Sequence, residues 1–302
     1  MTLTCHKVMG HGGVNLKVYE AGPKDAPPLM LVHGWSQCHL SWEKQQPLVD
    51  EFRLIMMDLR GHGASDKPDD PKAYDNSQPW ADDIDAIISA LDLRMPVLVG
   101  WSMGGWVVMD YLRVHRDLAL SGAGFVGSTL TPGSKMPAHL MALRQSNPAV
   151  RAKGMFSDDL SENLAATLDF VRACFHRQPE ADELSKMVGF NMMVPPHIRG
   201  AARGRSEDYR PTAATTKKPI FAAWGAKERV VPTELGEHLA AAFPNVQTHV
   251  YDNCGHAPFW EEPDKFNDDL SAFTRACHDR HTFSIPNKLP GSGGRAPSHA
   301  LR

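Results

Sequence analysis

Seven short apolar runs recur along the chain: Leu16–Tyr19, Leu29–Val32, Arg53–Met57, Pro96–Gly100, Ala123–Gly127, Ile220–Trp224 and Gln247–Tyr251. Each has the length of a strand rather than of a helix, and amphipathic stretches separate several of them. Strands alternating with helices predict an α/β class fold, a doubly wound and mostly parallel sheet with helices on both faces. Trp80–Leu91 places Ile84, Ile87, Ile88 and Leu91 at helical spacing. Asp82, Asp83 and Asp85 crowd its first turns, where negative charge suits the helix dipole. Met103–Val114 reads as a second helix and Phe266–Ala276 as a closing one.

The alternation breaks between Thr131 and Pro211, a stretch rich in Ala, Met, Arg and Pro with helical patterns at Leu160–Phe175 and Ala181–Met187. This segment is expected to be a helical cap inserted between two strands. The organisation expected is therefore core over 1–130, cap over 131–211, core again over 212–278, and a tail over 279–302. Phe283–Arg302 is Pro-, Gly- and Ser-rich with no core pattern, as a flexible tail would be.

Composition excludes several function classes. The 302 residues carry 32 Lys and Arg against 35 Asp and Glu, a formal charge of −3, so no basic surplus marks a nucleic-acid partner. Apolar runs such as Pro96–Gly100 and Val107–Met109 fall far short of a membrane span. The N-terminal MTLTCHKVMGHGG has no apolar signal core, and a cytoplasmic location is expected. The five cysteines, Cys5, Cys38, Cys174, Cys254 and Cys277, are odd in number, widely spaced and without a CxxC pair. Reduced thiols are expected, rather than a disulfide framework or a structural zinc site. A homo-oligomer is left open.

Gly100-Trp101-Ser102-Met103-Gly104-Gly105 follows a predicted strand and opens a predicted helix. A sharp turn there forces the central residue into a strained conformation, and flanking glycines remove Cβ clashes. Ser102 would then stand above the sheet near the positive end of the helix, a candidate nucleophile. A hydroxyl needs a base. Of the 15 histidines, His256 is singled out by its place between the last strand-like run and the last helix. The base needs a carboxylate to hold its tautomer. Glu228, in the loop after Ile220–Trp224, is the candidate, with Asp252 at a strand end as its rival. The His33-Gly34-Trp35 turn offers the Trp35 N–H as an oxyanion donor beside that of Met103. Trp35 and Trp101, with Met155, Phe156, Met192 and Met193 from the cap, are the candidate pocket residues.

These motifs resemble the α/β-hydrolase superfamily, in its capped esterase-like branch with cofactor-free bacterial haloperoxidases (perhydrolases). The resemblance runs from about Leu16 to Ala276. It rests on His33-Gly34-Trp35, Asp58-Leu59-Arg60-Gly61-His62-Gly63-Ala64-Ser65, the Gly100–Gly105 turn, Trp224-Gly225 through Val231-Pro232, and Gly255-His256-Ala257-Pro258-Phe259-Trp260-Glu261-Glu262-Pro263. It implies Ser102 as nucleophile, His256 as base, and Trp35 and Met103 as the oxyanion hole, with His62 in a structural turn. The chain departs from the family at Glu228, where an Asp is usual. Relatives that displace halide or open epoxides carry Asp at the position of Ser102. A cofactor-independent dioxygenase branch takes its acid from the loop that here reads Gly127-Ser128-Thr129, which holds no carboxylate. The resemblance therefore implies a serine hydrolase of a carboxylic ester or lactone, needing no cofactor or metal, with perhydrolysis as a side activity. Hydrolysis of a carbon–carbon bond in a diketone-type ring-fission product, and a slow hydrolase-type receptor, are the alternatives.

Overall fold

The computed structural model describes residues 3–139, 141–142 and 153–282. Among them, β1 (Thr4–Met9), β2 (Asn15–Ala21), β3 (Pro28–Val32), β4 (Arg53–Asp58), β5 (Val97–Trp101), β6 (Gly122–Val126), β7 (Ile220–Gly225) and β8 (Val246–Tyr251) form one sheet. Its strand order is β1-β2-β4-β3-β5-β6-β7-β8. The β1–β2 and β2–β4 pairs are antiparallel and all others parallel. Strands β3, β4, β5, β6 and β7 are buried along their whole length, which is why they read as unbroken apolar runs. Strand β1 escaped the sequence reading because it is an edge strand: only Val8 is buried, so no apolar run marks it.

The helices are α1 (Ser77–Ala90), α2 (Met103–Val114), α3 (Leu160–Ala173), α4 (Ala181–Met192), α5 (Pro196–Arg203), α6 (Arg210–Thr215), α7 (Thr233–Ala241), α8 (Pro258–Glu261) and α9 (Pro263–Thr282). Helix α1 buries Trp80, Ile84, Ile87 and Ile88, and the Asn76 side chain caps its first turn. Helix α2 is buried on nearly every side, as a helix pressed into the middle of the molecule must be. Helix α9 runs through Thr282, past the expected end of the core at 278. The segment Phe283–Arg302 lies outside the described residues.

Strand order reverses at β3: β4 lies on one side of it and β5 on the other, all three running parallel. The loops after β3 and β5 therefore part at the carboxyl edge, where open α/β sheets form their ligand crevice. His33-Gly34-Trp35 leaves one strand there and Ser102 leaves the other.

The described residues between β6 and β7 hold α3 to α6 and no strand. The two ends of this segment run side by side, with the N–H groups of Glu207 and Tyr209 donating to the carbonyls of Pro132 and Leu130. Arg205 then plunges into the core. Its Nη2 donates to both oxygens of Asp110 on α2 at 2.6 and 2.7 Å, and the Tyr209 hydroxyl donates to the same carboxylate at 2.6 Å. Both charged side chains are 0% exposed. Burial pushes the Asp110 carboxyl up, against the pull of Arg205. Removing one partner of such a pair strands a charge without water. Arg205→Met should destabilise the fold by about 3–5 kcal/mol, read from urea unfolding, and Arg205→Met with Asp110→Leu should recover part of that loss.

Candidate active site

Ser102 sits between β5 and α2 with φ 53 and ψ −116, a conformation L-residues rarely adopt. The turn is tight enough to forbid side chains beside it. A Cβ on Gly100 would lie 2.2 Å from the Gly104 carbonyl oxygen, and one on Gly104 would lie 2.4 Å from that of Val32. Met103 opens α2, so its N–H has no partner within the helix. Gly34 brings the β3 loop against the elbow: its Cβ would lie 3.3 Å from the Ser102 Cβ. Trp35 follows, and Trp35, Ser102 and Met103 line one cleft.

His256 is held from three directions. Its N–H donates to the Cys174 carbonyl at the end of α3 at 2.8 Å. Its carbonyl accepts from Trp101 Nε1 at 2.8 Å. Its Nδ1 lies 2.6 Å from Glu228 Oε2, with both side chains 1% exposed. The other carboxylate oxygen, Oε1, accepts from the N–H groups of Arg229 and Val230 at 2.8 and 2.7 Å. The loop folds over the longer Glu side chain and satisfies both of its oxygens. Asp252 is exposed and makes no such contact. The rest of the Gly255–Pro263 motif builds the loop. Glu261 accepts from the N–H of Gly255 through Oε1 and from that of Arg177 through Oε2.

The cleft beside Ser102 encloses about 520 Å³, counting the part open to solvent, and is lined by Trp35, Trp106, Thr129, Phe170, Val230 and Val231, with Arg203 at its edge. The pocket residues expected from sequence divide. Trp35 is in the cleft. Trp101 instead lines a second, narrow apolar cavity with Val171, Phe175, Met187 and Phe190. Met192 and Met193 line neither, a correction to the sequence reading. Helix α4 turns Met187, Phe190 and Asn191 inward, which rotates the next two residues away, and Met193 is 54% exposed. Met155 is buried, while the Phe156 ring packs at 5.9 Å from that of Trp35. Phe170 and Arg203 escaped the sequence reading because each sits in an ordinary helical pattern. Val230-Val231 lie inside the quoted Trp224–Pro232 motif, and Trp106 directly follows the Gly100–Gly105 one.

The β3 loop also bonds to the segment between β6 and β7. Trp35 Nε1 donates to the Arg199 carbonyl at 3.0 Å, and the Ser36 hydroxyl to that of Asn191 at 3.3 Å. Arg199 is buried among neutral acceptors: the Met155 and Asn191 carbonyls, the Asn163 amide oxygen and the Thr167 hydroxyl. Burial lowers its guanidinium to about 10.

His62 and His33 are fully buried, with their ring centroids 5.2 Å apart. His33 Nε2 accepts from the Leu59 N–H, which fixes its neutral tautomer, with Nδ1 donating to the Gly34 carbonyl. Burial holds His33 down at about 4 and His62 at about 3, against 6.5 for the free ring.

Over residues 27–263 the sequence matches the α/β-hydrolase fold family, and the chain belongs to it. It is similar to a Burkholderia cenocepacia protein provisionally assigned as an aryl esterase, at 32% identity and a TM-score of 0.82, covering 91% of this chain and 100% of that one. It is also similar to a bifunctional esterase/perhydrolase from Acinetobacter calcoaceticus, 28% identical over 87% of this chain and 97% of the relative. A 2-hydroxy-6-oxononadienedioate/2-hydroxy-6-oxononatrienedioate hydrolase from Pseudomonas sp. is 30% identical over 84% of this chain and 89% of its own length. Among the described residues no helix is long and apolar enough to cross a membrane.

Two outcomes follow from this geometry. In Glu228→Gln, the Arg229 and Val230 N–H groups hold the amide oxygen in the Oε1 position, so the NH₂ must face His256 Nδ1. That makes Nδ1 an acceptor, leaves the proton on Nε2, and should cut kcat by a factor on the order of 10⁴, measured on an activated ester. Separately, unfolding below pH 6.5 takes up protons that the folded state refuses at His33 and His62. Stability should therefore fall with falling pH by about 1.4 kcal/mol per pH unit per ring, from pH 6.5 towards the folded values. Urea titrations of His62→Gln between pH 6 and 5 should show the slope reduced by about one proton.

Proposed function

We infer that the protein is a serine hydrolase of carboxylic esters or lactones, acting through Ser102, His256 and Glu228. The observation that carries this reading is the 2.6 Å contact of Glu228 with His256 Nδ1, buried at the same end of the sheet as the strained Ser102. With Nδ1 committed to the carboxylate as a donor, Nε2 is the lone pair left to take the Ser102 proton. Ser102 Oγ attacks the carbonyl carbon and His256 receives the proton. The tetrahedral oxygen rests on the N–H groups of Trp35 and Met103. Collapse passes the proton from His256 to the leaving alkoxide and leaves an acyl-Ser102. Water, deprotonated by His256, releases the acid and restores Ser102. Peroxide in place of that water gives a peracid, the side activity consistent with similarity to the esterase/perhydrolase.

The cap would choose the substrate. Phe170 and Arg203 come from cap helices and share the cleft with Trp35, Trp106, Val230 and Val231, which suits an aromatic or branched apolar acyl or alcohol group. A second reading, cleavage of a carbon–carbon bond next to a ketone, is favoured by the similarity to the dienedioate hydrolase. The same serine, deprotonated by the same base, would attack that ketone, with the oxyanion held by the same N–H donors.

A panel of p-nitrophenyl and aryl esters, lactones and a vinylogous diketone separates the two. Esters should turn over, Ser102→Ala should abolish turnover in a folded protein, and Phe170→Ala should shift the preference towards bulkier acyl groups. Turnover of the diketone alone would establish the second reading, and ester turnover surviving in Ser102→Ala would overturn both.

A further inference from the structure

The loop after β6, Gly127-Ser128-Thr129, carries no acid. The structure places each of its residues against a different part of the machinery. The N–H of Ser102 donates to the Val126 carbonyl at 2.8 Å, and the Ser128 hydroxyl donates to the Ser102 carbonyl at 2.8 Å. Both peptide groups of the strained residue are thus tied to one short segment of the neighbouring strand and loop. Ser128 is buried and reaches this carbonyl only because residue 105 is glycine, whose Cβ would lie 2.3 Å from the Ser128 oxygen. Gly127 has φ 53, and a Cβ there would lie 2.9 Å from His256 Nδ1 and 3.0 Å from Cε1. Its own N–H donates to the Ala223 carbonyl on β7 at 2.8 Å, the strand that leads to Glu228. Thr129 Oγ1 accepts from Trp106 Nε1 at 3.3 Å, and both residues line the cleft.

We propose that Gly127 and Ser128 are positioning residues that set the nucleophile and its base against each other. Ser128 holds the Ser102 backbone in its strained conformation through the carbonyl. Gly127 leaves the space that lets the imidazole settle onto Glu228. A strained φ/ψ persists only where the surroundings over-determine it. Here the segment that imposes the strain on Ser102 also gives the imidazole its clearance, so the two cannot drift apart independently. The inference rests on Ser102 and His256 acting as nucleophile and base, but not on the choice of substrate.

The test reads Ser102 reactivity directly, as the rate of phosphonylation by an aryl phosphonate between pH 5 and 9, counted per titrated site. Ser128→Ala keeps the backbone and removes one hydrogen bond. Its per-site rate should fall by about tenfold, with an unmoved acid limb and unchanged KM for any ester the enzyme turns over. Gly127→Ala should fall by more, and its acid limb should move to lower pH, because an imidazolium pushed off its carboxylate is less stabilised. An alanine at positive φ also loosens the fold, but that alone lowers the titrated fraction and not the rate per site. Per-site rates within about twofold of wild type in both variants, or a slower Gly127→Ala with an unmoved acid limb, would overturn the proposal. A wild type that is phosphonylated at Ser102 yet turns over no ester would sink the ester reading and leave this one standing.

Discussion

The backbone of Ser102 is the constraint around which the molecule is assembled. With φ 53 and ψ −116 it holds a conformation that costs of the order of 1–3 kcal/mol. The surroundings must supply that energy by fixing its peptide groups and by leaving no room for relaxation. They do both. The N–H and carbonyl are tied to the β6 end, and the glycines on either side let β3, β5 and α2 approach within distances no Cβ would allow. Once these elements are this close, the divergence of the β3 and β5 loops opens a crevice beside the serine. The first N–H of α2 and the Trp35 loop then border the same space. The meeting of these two groups is a consequence of the packing that strains Ser102.

Charge burial is concentrated where the segment between β6 and β7 joins the sheet. Arg205 and Asp110 pin the returning chain to α2, while Arg199 gathers α3, α4 and residue 155 around one guanidinium. Neither arrangement is an economical source of stability, because removing a charge from water costs several kcal/mol before any partner repays it. Their value is geometric, since a guanidinium with directed acceptors tolerates one arrangement of the groups around it. Trp35 extends that arrangement into the site, through its indole bond to the Arg199 carbonyl. The loop that lines the cleft beside Ser102 is thereby also bonded to the helices between β6 and β7, so their position and the shape of the cleft are mechanically joined.

Glu228 shows how a loop adapts to its side chain. Glu is one methylene longer than Asp. The Lys227–Val230 turn accommodates it by curling two backbone N–H groups onto one oxygen and presenting the other to His256. The carboxylate is fully satisfied and oriented by the loop itself, a task Asp would perform with a different backbone.

What the sequence by itself determined was everything governed by a few consecutive residues. Strands buried on both faces must be apolar throughout, so β3 to β7 were legible as runs. A strained elbow needs glycines at fixed spacing, so Ser102 stood out, and His256 and Glu228 could be placed by their loops. What only the tertiary structure decided was which distant surfaces meet. Edge strand β1 has a single buried side chain and no run to betray it. The rotation of α4 removed Met192 and Met193 from the cleft, and the docking of α3 put Phe170 there instead. Gly127 and Ser128 carry no signal in the sequence beyond the lack of a carboxylate, and folding sets them against the His256 imidazole and the Ser102 carbonyl. Steric and periodic rules act within one turn or one strand and leave their mark locally. A cleft is bounded by residues far apart in the chain, and its lining depends on helix rotations that a few side-chain contacts elsewhere decide.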